Sequence, residues 1–153
     1  MFSISKVAAL SLAFAWMLMG GEPGVKTEFV GGTLAGVTAR TRMHVDLTGK
    51  DSLHLHCGKT DLDIPYQKVN TVEYGQRVSR RYAEAVLISP VLLLAKSRKH
   101  FVTIGFVDAE GKQQALVIRV EKGDIRSVLT GLEARTGRRV EYQDGEARKA
   151  GKG

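Results

Sequence analysis

Three histidines and two aspartates stand close together in the chain, and these side-chain types could bind metal or move protons. His54 and His56 are two residues apart in an alternating segment, so they face the same side of a strand, and His44 falls where a neighbouring strand could bring it beside them. The remaining ligand is missing from the pattern, because Cys57 points to the opposite face. Asp61 and Asp63 have the spacing of paired acid–base carboxylates, but nothing in their wet alternating context raises a carboxylate pKa. Cys57-Gly58-Lys59-Thr60 carries the Gly-Lys-Thr end of a phosphate-binding loop. That loop needs a further glycine where Leu53 stands, and the surrounding pattern is a hairpin rather than a strand entering a helix. There is no Gly-x-Ser-x-Gly nucleophile turn. The expectation is a protein without cofactor or resident metal, and not an enzyme.

A different chemistry is concentrated between Arg77 and Phe101. Ala85–Ala95 is an apolar run interrupted by Ser89-Pro90, with Arg77, Arg80 and Arg81 before it and Lys96, Arg98, Lys99 and His100 after it. As a helix the run would reach only ~17 Å against a hydrocarbon core of about 30 Å, which excludes a single membrane span. Pro90 removes a backbone donor and disfavours helix at Ser89, so two short pieces or a kink are expected. Three uses stay open: a helical or hairpin insertion packed on the domain's own core, an interfacial element with its cations at head-group level, or a protein-docking surface. The candidate binding residues are the basic rim Arg80, Arg81, Lys96, Arg98 and Lys99 with the apolar Leu92 and Leu93.

The net charge of +7 favours anionic partners such as lipid head groups, acidic cell-envelope polymers or nucleic acid, and the partner expected is an anionic membrane surface or an envelope protein. Nucleic acid is not expected, since Arg80-Arg81-Tyr82 and Lys99-His100-Phe101 are the only places where cations and aromatics interleave around this stretch. Lys6 followed by the uncharged Val7–Met19 has the form of a signal peptide over residues 1–20, which implies export; an uncleaved, shallow N-terminal anchor is the alternative. The single cysteine, Cys57, cannot close an intramolecular disulfide, so the fold rests on its core.

The elements that must position these groups are short. Thr27–Thr33 reads as a strand with a bulge or turn at Gly31-Gly32. Arg40–Leu47, Ser52–Cys57 and Asp61–Pro65 alternate with period two, and Pro65 marks an edge or a strand end. A short strand covers Thr71–Tyr74. Phe101–Val107 and Gln114–Val120 form a hairpin through Asp108–Lys112. Asp124 is placed as an N-cap, Ile125, Val128, Leu129 and Leu132 make one apolar helical stripe, and Gly137 ends it.

The fold class expected is mainly β: a small antiparallel barrel or sandwich of about seven strands closed by one C-terminal amphipathic helix. A single domain over residues 27–139 would carry an apolar insertion at 78–99 and end in a flexible basic tail at 140–153. The order of elements resembles pleckstrin-homology-like domains. The run from Val72-Glu73-Tyr74-Gly75 through Ile88-Ser89-Pro90 to Lys99-His100-Phe101, with Leu132-Glu133-Ala134-Arg135-Thr136-Gly137, is similar to a group of small exported bacterial proteins of unassigned function. The likeness extends over roughly Gly31–Tyr142 and implies a fold, not an activity. The functional expectation is an exported binding or interaction module at the anionic envelope surface; a small-ligand-binding barrel, or less plausibly a hydrolase, is the competing expectation.

Overall fold

The computed structural model describes residues 23–77 and 99–152. Their strands are β1 (Val25–Gly32), β2 (Arg42–Asp46), β3 (Ser52–Cys57), β4 (Thr60–Pro65), β5 (Val69–Gly75), β6 (His100–Val107), β7 (Gln113–Val120) and β8 (Glu141–Tyr142). A 3-10 turn, Tyr66–Lys68, joins β4 to β5, and two helices come after the hairpin: α1 (Ile125–Thr136) and α2 (Gly145–Lys152).

The strands form one eight-stranded mixed sheet in the order β4-β3-β2-β1-β7-β6-β5-β8. Two meanders, β1 to β4 and β5 to β7, are joined where β1 runs antiparallel to β7; only β5 and β8 pair in parallel. The sheet is not closed, so the barrel among the expected architectures is not formed: β4 and β8 are its two edges. Both are suited to ending a sheet. Pro65 lacks a backbone donor, and β8 contributes only two residues.

One core joins the two meanders. Phe29, Met43, Val45, Leu53, Leu55 and Ile64 from the first half meet Val72, Tyr74, Val102, Ile104, Leu116 and Ile118 from the second. Alternation explains the first set, because core residues that share a strand, such as Met43 and Val45 or Leu53 and Leu55, lie two positions apart on one face. The stripe Ile125, Val128, Leu129 and Leu132 of α1 lies in this same core, with Leu132 fully buried. Gly137 ends the helix in the left-handed conformation with its N–H on the Glu133 carbonyl at 3.0 Å. Asp124 occupies the expected cap position, but its side chain makes no capping bond; its backbone carbonyl instead accepts from Val128 N–H and Ser127 Oγ.

The bulge in β1 falls between Phe29 and Gly31, where the register against β7 shifts. Glycine is required at position 32 because the backbones nearly touch: a Cβ there would sit 2.6 Å from the Ala115 carbonyl oxygen.

The expected flexible tail is a correction. Tyr142 lies in β8, and α2 packs back on the domain with Ala147 and Gly151 buried. The reason is size: Gly151 approaches Leu129, Tyr74 and Tyr142 so closely that an added Cβ would meet them at 2.8–3.2 Å. Asp144 starts the helix, its carboxylate accepting from Ala147 N–H at 2.7 Å. Arg148 and Lys152 then place their cations 5.9 Å from the Tyr142 ring centroid.

Candidate functional site

The outward face of β1 to β4 carries the polar halves of the alternating strands, and register aligns them into rows. Lys26 faces His44, His44 faces His56, and His56 faces Asp61 across four strands. A second row runs Asp46, His54, Asp63. A third runs Arg42, Glu28, Arg119, through the junction of β1 with β2 and β7.

The histidine rows are closed by carboxylates, a partnership the β3–β4 hairpin register creates. His56 Nδ1 lies 2.9 Å from Asp61 Oδ1, and His54 Nδ1 pairs with Asp63 Oδ1; in each the imidazole N–H donates. The side chains of Asp61 and Asp63 are 71% and 66% exposed, so they are solvated partners and not a buried acid–base pair. Among the described residues no group of three or more His, Cys, Asp or Glu is arranged to hold a metal ion. Cys57 faces the other side, buried, and its thiol pKa is raised by desolvation and by the nearby Asp61 charge. Gly58 turns β3 into β4 at positive φ, so the Gly-Lys-Thr triplet is a hairpin turn.

Beside these rows, the same face is hollowed. Lys26, Thr27, Glu28, Arg42, Met43, His44, Arg119 and Glu121 line a cleft of about 380 Å³. Its charges alternate across the strands, with Glu28 between Arg42 and Arg119. Arg119 is engaged by Glu28 at 2.8 Å, with both side chains half-buried. Lys26 and Arg42 are exposed and have no ion-pair or hydrogen-bond partner among the described residues. Neither cation is held in an ion pair among the described residues, so each can form charge-assisted hydrogen bonds with an anion that reaches the cleft.

Of the basic rim and apolar residues expected from the sequence, Arg80, Arg81, Leu92, Leu93, Lys96 and Arg98 lie outside the described residues, as does most of the apolar insertion. Lys99 is described. It directly precedes His100, which pairs with Val120, the neighbour of Glu121 in the cleft lining, so Lys99 adjoins one end of this site. Sequence reading missed Lys26, Arg42 and Arg119 as a group. The wet face of β2 was visible in the alternation of Arg42 and His44, but the β1–β7 pairing that adds Arg119 was not.

A second polar cluster lies on the inward side, where half-buried His100 and Tyr142 flank a buried tyrosine. Tyr74, wholly buried, shares a hydrogen bond between its hydroxyl and His100 Nδ1 at 2.5 Å and stacks on that ring with centroids 6.0 Å apart. The Tyr142 ring meets Tyr74 edge-on. Desolvation holds the His100 pKa below its ordinary value, helped by the Lys122 charge, and desolvation also raises that of the Tyr74 phenol.

No protein-family model, curated protein or solved structure matches the chain. Among the described residues no helix is long and apolar enough to cross a membrane.

Proposed function

We propose that this chain is an exported, non-enzymatic binding module that engages an anionic partner at the cell-envelope surface. The observation that carries the reading is the cleft on the outward face, where Lys26 and Arg42 stand exposed beside His44, without a partner of their own among the described residues. The overall charge of +7 adds a long-range attraction toward the same class of partner. The interior does not favour the small-ligand barrel to the same degree, since its inward faces are filled by Phe29, Tyr74, Leu116 and Leu132 packed together.

The finer architecture proposed is pleckstrin-homology-like. Support comes from the two antiparallel meanders, joined through β1 and β7, with α1 on the core after them. Export rests on Lys6 and Val7–Met19, outside the described residues.

Sedimentation of the full chain with anionic and neutral vesicles tests the reading. Binding to the anionic vesicles alone, weakening as the Debye length falls from ~10 Å at 0.1 M salt to ~3 Å at 1 M, is the expected result. Equal recovery with neutral vesicles, or none with either, would remove the anionic surface as partner.

A further inference from the structure

We infer that His44 is a third, acid-dependent ligand for the oxyanion that the cleft takes, so that binding strengthens as the pH falls. This rests on the anion-binding reading above and adds its regulation. In the antiparallel register Lys26 on β1 faces His44 on β2, and Arg42 lies two residues before His44 on the same face of β2. Facing side chains have their Cβ atoms about 4.5–5.5 Å apart, and two positions along a strand span about 7 Å. One oxyanion is therefore within reach of all three, with the imidazole half-buried and the two cations exposed.

The near-balance of charge in the lining makes this histidine decisive. Glu28 faces Arg42 and is engaged by Arg119 at 2.8 Å, and Glu121 follows Val120, the residue that faces Thr27 next to Lys26. Lys26, Arg42 and Arg119 thus exceed Glu28 and Glu121 by a single positive charge, and a proton on His44 doubles that excess. The proton also turns the ring into a charged donor, whose bond to an anion is roughly twice as strong as a neutral one. Histidine is the side chain that makes such a change between about pH 8 and 5.

The groups around His44 set the sign of the effect. Lys26 and, diagonally, Glu28 face it from β1; His56 and, diagonally, His54 face it from β3; Arg42 and Asp46 share its own strand face. Lys26 and Arg42 resist a proton on the ring, and a bound anion offsets that resistance. Of the carboxylates, Glu28 is engaged by Arg119, and Asp46 accepts the Thr48 N–H at 2.8 Å. His56 and His54 have Asp61 and Asp63 as partners, so a proton on either forms an ion pair in its own row and adds little charge at the cleft. Proton and anion therefore bind His44 and the cleft cooperatively, and the coupling is reciprocal: acid raises anion affinity, and the anion favours the protonated ring.

Sulfate is the probe, because its charge is constant between about pH 8 and 5, unlike that of a phosphate monoester, which titrates near pH 6. The full chain would be titrated with sulfate at about pH 8, 6.5 and 5 while backbone amides and the His44 ring signal are followed, and sedimented with phosphatidylglycerol vesicles at the same pH values. Affinity for sulfate should rise about tenfold from the highest pH to the lowest, the gain expected from one charge-assisted bond. At the middle pH, sulfate should move the His44 ring signal toward its acid position. His44→Gln should remove the rise, whereas His54→Gln, which lies outside the cleft lining, should keep it. A rise with vesicles as well, lost in His44→Gln, assigns the oxyanion to a lipid phosphate; a rise with sulfate alone assigns it to a soluble or polymer-borne group. Sulfate affinity that is flat with pH, a His44 ring signal unmoved by bound sulfate, or a rise that His44→Gln retains or that His54→Gln loses equally would overturn the role of His44 and leave the anion-binding reading standing. Failure of the unaltered chain to bind sulfate or vesicles at any of the three pH values would remove both.

Discussion

The two meanders of the sheet share an inward core but differ in their outward faces. On β1 to β4 that face is wet: Arg42, His44, His54, His56, Asp61 and Asp63 alternate with the core residues, and Asp61 is 71% exposed. On β5 to β7 the corresponding positions Glu73, Phe101, Thr103, Ala115 and Val117 are buried, Val117 completely. Register aligns Gly31, Val117, Thr103 and Glu73 into a row across four strands, none of which faces solvent. The polar members of that row are satisfied: Glu73 accepts from Gln143 Nε2 at 3.0 Å, and no buried side-chain polar atom lacks a partner among the described residues. The difference teaches that strand composition here reports how many faces are covered. Alternation marks one covered face, and the unbroken apolar run of Ala115–Ile118 marks two.

The sharpest way to break this comparison is to place a charge on each face. Val117→Asp should cost about 3–5 kcal/mol or leave the chain unfolded, because an unpaired carboxylate would be buried. His44→Asp on the wet half should change stability by less than about 1 kcal/mol. Denaturant titration of the two variants decides, and equal tolerance at both would show the second meander to be solvated like the first. Next in size is the shared inward core. Leu132→Ala and Leu129→Ala should each cost about 2–5 kcal/mol if α1 ties the two halves together. A loss under about 0.5 kcal/mol at both positions would detach the helix from the sheet.

Sequence reading succeeded on the half where alternation is clean. Ser52–Cys57 begins and ends where expected, and the stripe of α1 is buried at all four positions that its spacing selected. It failed where small residues do the packing. Ala147 and Gly151 look like tail composition because they contribute little hydrophobicity, yet their lack of bulk lets α2 lie against Leu129 and Tyr74. The cleft was half legible. Arg42 and His44 could be assigned to a wet face, whereas Arg119 is brought to Glu28 by a pairing between strands about ninety residues apart, which local periodicity does not encode. The His–Asp pairs needed only the hairpin register, and that depended on a turn at Gly58 whose geometry the sequence left open.

The docking of α2 gives a smaller effect confined to the second meander. Gly151→Val should cost about 1–3 kcal/mol, since its Cβ would begin 2.8 Å from the Tyr142 ring and 3.2 Å from Leu129 and Tyr74. Hydrogen exchange should show the loss concentrated in residues 141–152, with β2 and β3 keeping their protection. Uniform loss across the sheet would mean that α2 is part of the common core and not a local closure.

The smallest effect expected is a pH dependence that separates the buried half from the wet one through a single histidine. His100 shares a hydrogen bond with the Tyr74 hydroxyl through Nδ1. Burial depresses its pKa, the Lys122 charge depresses it further, and Glu121 opposes the change without reversing it. The unfolded chain, with a histidine near its ordinary value of about 6.5, therefore binds more protons than the folded one once the pH falls to that region. Stability from this residue is full above that value, declines as the pH drops through it, and levels off below the lower folded pKa. His100→Gln should flatten the part of the stability profile between about pH 7 and 5 while lowering stability at about pH 8, where the Tyr74 hydrogen bond is intact. Urea midpoints for both chains at about pH 8, 6.5 and 5 provide the measurement. An unchanged slope would show that His100 does not carry the acid sensitivity, and the contrast between the halves would then not extend to this residue.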